Sequence, residues 1–150
     1  MSDGEIITHT PRRRLVVLYD RPELSLTRTR LAGGERGADL HVHREHTDSF
    51  YVLEGELTFR IGPEAERVTV AAGGYAAVPP NVVHGFDNDG DGDASYLNMH
   101  TPDAGFADYL RALRDGRVAA FDSFDPPEDG GLPASEVIVR SPGPGALPPG

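Results

Sequence analysis

The sequence predicts an all-β domain, an antiparallel sandwich or barrel of short strands followed by one short helix. Three observations carry that reading. Short β-prone runs recur every ~8–12 residues, the rhythm of all-β sandwiches and barrels. Eighteen glycines and thirteen prolines in 150 residues supply turns between those runs. Period-two alternation dominates, and a single segment carries helical periodicity. A chain of this length fits one domain that buries roughly 70% of its unfolded surface.

Taken in order, Met1–Thr10 is polar and is expected to be loose unless it borrows a partner's sheet edge. Leu15-Val16-Val17-Leu18-Tyr19 is the first strong strand, and Asp20-Arg21-Pro22 breaks it. Leu24-Ser25-Leu26-Thr27 alternates, then Gly33-Gly34 and Gly37 mark loops before a strand bearing His41 and His43. Leu57, Phe59 and Ile61 point to one face of another strand. Gly62-Pro63 turns the chain, Val68-Thr69-Val70 continues it, and Gly73-Gly74 turns it again. Tyr75–Val78 and Val82–Phe86 flank Pro79-Pro80-Asn81, and Ala94–Thr101 is the last strong strand. Phe106, Tyr109, Leu110 and Leu113 then fall at i, i+3, i+4 and i+7, the apolar stripe of a helix. Asp103 or Thr101-Pro102 is expected to cap it and Gly116 to stop it.

The domain expectation is therefore a flexible segment at 1–14, barrel and helix at 15–116, and a loop-rich extension at 117–150. Within that extension Phe121–Gly131 is acidic and rich in proline and glycine, and Val137-Ile138-Val139 offers an edge strand. Ser141–Gly150 is a proline/glycine tail with too little apolar content to fold by itself.

Composition excludes several chemistries. There is no cysteine and no lysine, which removes thiolate metal sites, disulfides, a cysteine nucleophile and a lysine Schiff base. A net charge of −10 leaves no basic surplus to displace phosphate counterions, so nucleic acid is not an expected partner. Leu15–Tyr19 is the longest apolar run, far short of a membrane span, and Arg12-Arg13-Arg14 stands where a signal peptide needs apolar residues. A soluble cytoplasmic protein is expected.

The chemistry gathers in Leu40-His41-Val42-His43-Arg44-Glu45-His46-Thr47-Asp48. His41 and His43 are two apart, so both imidazoles project from one face of a strand. Neutral imidazoles side by side suit a borderline divalent ion. Asp48 reaches the same ion if residues 44–47 turn the chain back. His46 competes for that place, but its expected position is an exposed turn.

Downstream lies Gly73-(five residues)-Pro79-x-Asn81-x-x-His84-x-x-x-Asn88. With this second motif the chain resembles the cupin family. His41, His43 and Gly55 fit the family's first motif, Asp48 stands where the family places a glutamate, and Gly34 falls one place early for the leading glycine. Gly73, Pro79, His84 and Asn88 fit the second, with Asn81 in place of glycine, a mild exchange because asparagine tolerates positive φ. Tyr96–Arg114 also looks like the small quercetin-dioxygenase-like cupins. The resemblance implies a jelly-roll barrel, a homodimer, and one divalent transition metal ion (Fe, Mn, Ni, Cu or Zn) held by His41, His43, Asp48 and His84.

Strand parity places Phe50 and Val52 on the face of Asp48, Phe86 on the face of His84, and Asn98 on the face of His100. Together with Phe59 they form the expected small-molecule pocket, and His100 is the expected acid or base. The expected activity is a mononuclear metal-dependent oxygenase acting on a small aromatic or polyketide-like substrate. The alternatives are a Lewis-acid cyclase or isomerase and a cupin that binds a small molecule without turnover. Asp87-Asn88-Asp89-Gly90-Asp91-Gly92-Asp93 mimics the start of a calcium loop, but Asn98 occupies the place of its closing glutamate. A hairpin turn is the expectation there.

Overall fold

The alternation becomes eleven strands and one α-helix in a computed structural model that describes residues 4–142. The strands are β1 (Glu5–His9), β2 (Arg13–Arg21), β3 (Leu24–Leu31), β4 (Arg36–His41), β5 (Thr47–Glu54) and β6 (Glu56–Ile61). They continue as β7 (Glu66–Ala71), β8 (Tyr75–Val78), β9 (His84–Asp87), β10 (Ala94–Thr101) and β11 (Ile138–Arg140), with α1 (Phe106–Asp115) after β10. Two antiparallel sheets result. The larger has the order β1-β2-β3-β10-β5-β8-β11 and the smaller β4-β9-β6-β7. They form a jelly-roll sandwich, the fold class that the strand rhythm predicts.

The core lies between the sheets because alternate residues of each strand turn inward. On β5, Asp48, Phe50 and Val52 are all buried, and on β10 so are Tyr96, Asn98 and His100. Phe50, Phe59, Phe86 and Tyr96 meet edge-on or tilted, with ring centroids between 4.9 and 6.0 Å. Such pairs add to the burial of their area. A Cβ on Gly37 would overlap the Phe86 ring, so glycine here is a packing requirement and belongs to β4, where a loop was expected.

Three other expectations are corrected. Residues 5–9 are not loose, since β1 pairs with β2 of its own chain, and Glu5 accepts hydrogen bonds from Arg111 and Arg114 of α1. Residues 88–93 form no hairpin: β9 and β10 belong to different sheets, and the segment is a corner between them. Buried Asn88 holds that corner, its amide donating to the carbonyls of Leu31, Ala32 and Gly92 while its oxygen accepts the Gly90 N–H. Gly105, at φ 91°, takes the cap position expected of Asp103, and Gly116, at φ 71°, ends the helix as expected. The edge strand expected at 137–139 forms as β11, which pairs with β8, and Ala134–Glu136 before it makes a 3-10 turn. The tail beyond residue 142 lies outside the described residues.

Asn81 sits at φ 69° in the turn before β9, the conformation that a glycine-to-asparagine exchange implies. Its N–H donates to the His43 carbonyl and its own carbonyl accepts from Leu132. This turn ties the two halves of the site together.

Candidate metal centre

Five of the six histidines converge between the sheets. His41 ends β4 and lies in register with His84 at the start of β9, so the smaller sheet presents both. His43 follows in a short segment whose main chain bridges to Phe124. Asp48 comes from the opposite sheet, in register with Val78 on β8 and His100 on β10. The short aspartate reaches across because β5 faces β9 directly: its Oδ2 lies 3.0 Å from Nε2 of His84 and 3.1 Å from Nε2 of His43. Nε2 of His41 lies 3.2 Å from Nε2 of His43, and the four ligand atoms fit within 4.8 Å of one another.

The protons on the outer nitrogens say what the cluster can hold. Nδ1–H of His41 donates to the Asp39 carbonyl at 2.6 Å, that of His43 to the Asp122 carbonyl at 2.6 Å, and that of His84 to the Val82 carbonyl at 3.0 Å. Each neutral ring therefore turns a bare Nε2 lone pair inward. Three such lone pairs and a carboxylate form an all-acceptor set that only a cation or a shared proton reconciles. Ligands bonded at about 2.0–2.1 Å and roughly 90–100° apart lie about 3 Å from one another, which is the spacing of the His41–His43, His43–Asp48 and His84–Asp48 pairs. Outer nitrogens fixed by carbonyls are also the usual support of metal-ligating histidines. The donor set fits a divalent transition ion.

The second oxygen of Asp48 is held as firmly. Oδ1 accepts from the Asn98 amide at 2.7 Å, and the same amide donates to the Ser49 carbonyl at 3.0 Å. Asn98 therefore presents its oxygen to Nε2 of His100, 3.0 Å away. His100 was expected as an acid or base; its Nδ1 lies 2.8 Å from Nε2 of His46, its ring stacks on Phe106 with centroids 4.0 Å apart, and because a neutral ring carries a single N–H only one of its nitrogens donates. His46, expected in an exposed turn, is 1% exposed, and its Nδ1–H donates to the Asp122 carboxylate at 2.8 Å. Sequence reasoning missed Asp122 altogether. It lies 76 residues from His46 in a segment whose composition reads as loop, and no periodicity flags it.

Asp48, His41, His43, Phe50, Phe86, Asn98 and His100 line one cavity of about 500 Å³. Phe106, Tyr109 and Phe121 line it too, the Phe121 ring packing against both of the others. Val52 and Phe59, expected in the pocket, are fully buried core and do not line it. Parity assigned their face correctly, but depth along the barrel separates them from the cavity.

Burial and neighbours tune the site. Burial, reinforced by the His84 ring, pushes His41 down to about 4, and burial pushes His100 down to about 4 as well. Burial also draws His43 downward, but the Asp48 carboxylate outweighs it and His43 ends above its ordinary value. Asp48 is held well below the carboxylate range by the rings of His100, His43 and His84, against burial. Between pH 6.5 and 4 the unfolded chain protonates the histidines at 41 and 100 while the folded chain keeps them neutral. The unfolded state then binds more protons, so stability falls as pH drops through this window, by roughly 3 kcal/mol per ring at most. His43 acts outside it, its stabilisation being complete below 6.5 and lost only as pH rises through its raised pKa. Urea unfolding of chelator-treated protein at pH 4.5, 5.5 and 6.5 is expected to show a rising midpoint; a flat midpoint would contradict this account.

Two facing sheets with histidines on one and a carboxylate on the other define a jelly-roll protein with a potential metal site. Residues 27–100 match the cupin-domain family, and this part of the chain is a cupin domain. Similar solved structures include KdgF from Halomonas sp., 18% identical, covering 67% of this chain and 87% of that one with a TM-score of 0.58. A predicted oxalate decarboxylase from Thermotoga maritima is 21% identical over 60% of this chain and 80% of its own, TM-score 0.55. A sugar phosphate isomerase of the cupin superfamily from Silicibacter pomeroyi is 23% identical over 65% and 69%, TM-score 0.54. At these identities the likeness shows the fold alone. A search of the curated proteins found no match. No described helix is long and apolar enough to cross a membrane.

Proposed function

We propose that this cupin is a mononuclear metal-dependent oxygenase, with His41, His43, Asp48 and His84 as ligands and a small aromatic or polyketide-like molecule as substrate. The observation that carries the proposal is the all-acceptor cluster on the wall of a cavity lined by aromatic rings. When bound, an ion there supplies Lewis acidity and, for iron, manganese, nickel or copper, a site for O2 chemistry. The chain's own part is to fix the ligands and to shape the cavity. Asn98 holds the Asp48 carboxylate in one rotation, and the carbonyls of Asp39, Asp122 and Val82 hold the three rings. Phe106, Tyr109 and Phe121 give a flat substrate apolar walls and exclude water. His100 backs Asn98, which places it in a positioning role.

The second reading, a Lewis-acid cyclase or isomerase, uses the same ligands and rests on the same cavity. The third is a binding cupin without turnover. Oxygen uptake and product formation by protein loaded in turn with Fe, Mn, Ni, Cu and Zn, on a panel of hydroxylated aromatics, separate them. The oxygenase consumes O2 in step with product. Turnover without O2 uptake would replace it by the cyclase or isomerase, and tight binding without product by the third reading. The proposal includes a homodimer: among the described residues β1 leaves the outer edge of the larger sheet unpaired, with Ile6, Leu18 and Tyr19 exposed beside it. Light scattering on the same preparation would refute it with a monomer mass.

A further inference from the structure

We propose that Asp122 is a positioning residue of the metal centre, which makes the segment beyond the cupin domain a working part of the site. The inference rests on the metal-centre reading above. The family match ends at residue 100, whereas Phe121, Ser123, Phe124 and Asp125 line the cavity. Two main-chain hydrogen bonds join Val42 and Phe124, each N–H donating to the other's carbonyl at 2.9 Å. The Arg44 guanidinium lies 3.6 Å from the Phe124 ring centroid, and Phe121 packs among His43, His46 and His100.

Between these two anchors Asp122 takes up the donors of the ligand loop. Its main-chain carbonyl accepts Nδ1–H of His43 at 2.6 Å. Its carboxylate accepts the N–H of Arg44 at 2.9 Å, the N–H of Glu45 at 2.6 Å and Nδ1–H of His46 at 2.8 Å. Residues 44–46 lie between β4 and β5, where no strand partner satisfies these groups, and the Asp122 side chain that does is 7% exposed. From His46 the contacts run on through His100 and Asn98 to Oδ1 of Asp48. Asp122 therefore touches one ligand, His43, through its main chain, while its carboxylate fixes the loop between the ligands and leads to a second, Asp48, through three intervening side chains. Outer partners of this kind typically change metal affinity by about 10–100-fold.

Co²⁺ is the probe, because its visible spectrum reports coordination geometry and its titration gives affinity. Asp122→Ala is expected to weaken Co²⁺ binding by about 10–100-fold and to alter the spectrum. Asp122→Asn keeps an oxygen for Glu45 and His46 but turns an N–H2 toward the Arg44 N–H, and is expected to lose affinity to a smaller degree. It also serves as the test should the alanine variant not fold. Leu132→Ala truncates an exposed apolar side chain of the same extension that does not line the cavity, and is expected to bind Co²⁺ within about threefold of wild type. Wild-type affinity and spectrum in both Asp122 variants would overturn the inference. So would an equal loss in Leu132→Ala, which would reduce Asp122 to a pin for the fold. Failure of wild type itself to take up Co²⁺ would instead overturn the metal-centre reading beneath it.

Discussion

Replacing His84 with alanine is expected to strip the centre of its ion. The ring is fully buried, its Nδ1 is pinned to the Val82 carbonyl, and its Nε2 is 3.0 Å from the Asp48 oxygen that also meets His43. His84 is also the sole ligand from the second motif, so its removal leaves His41, His43 and Asp48 with one side of the cluster open. Loss of a ligand exceeds the roughly 10–100-fold typical of an outer partner, so at least a hundredfold weaker binding is expected. The fold loses less. A small void opens and the Val82 carbonyl is left without its donor, costing about 1–3 kcal/mol. Elemental analysis of protein purified without chelators, together with competition against a chromophoric chelator, reads the metal, and circular dichroism checks the fold. His9→Ala is the control, since His9 is exposed and lies at the far edge of the larger sheet. A folded His84→Ala protein with full metal content would refute the ligand assignment.

The residues of that assignment were legible in the sequence because each sits at a fixed distance from a turn that the fold requires. His41 and His43 share parity on an extended chain, and His84 and Asn88 follow Pro79 at the spacing set by one turn and one short strand. Whether Asp48 reaches the histidines was not legible, because reach depends on how closely β5 approaches β9 across the sandwich. His46 was misread for a related reason. A histidine in a turn is ordinarily solvated, and only a carboxylate 76 residues away makes its burial tolerable. Asp122 lies in a segment with no period at all, and its role depends on where α1 delivers the chain. Pairing between distant polar groups leaves no local signature, which is also why β1 was missed: its ladder to β2 is backbone, and its tether is two arginines on the helix.

Phe59→Ala is expected to be the most destabilising single truncation among the residues first placed in the pocket. Alternation identified its face, and the structure shows that facing inward and lining the cavity are different conditions. Phe59 is fully buried, its ring meets Phe50 at 5.0 Å and Phe86 at 5.8 Å, and no part of it borders the cavity. Removing it leaves a void that rigid paired strands on both sides cannot close, at a cost of about 3–5 kcal/mol. Against a total stability of about 5–15 kcal/mol, that is a large share. At about 2–4 °C per kcal/mol the melting temperature is expected to fall by roughly 10 °C. The metal site should not feel it, since the ligands are fixed by carbonyls and by Asn98, none of which leans on Phe59. Urea unfolding and Co²⁺ titration below the unfolding transition measure the two effects separately. Phe50→Ala sharpens the contrast, because Phe50 borders both the core and the cavity and is in register with Asn98. Its truncation is expected to cost similar stability and to disturb Co²⁺ binding as well. Equal metal affinity in both variants would mean that the aromatic cluster and the centre are mechanically independent; equal loss in both would mean that the centre is supported by the whole core, against the local support described here.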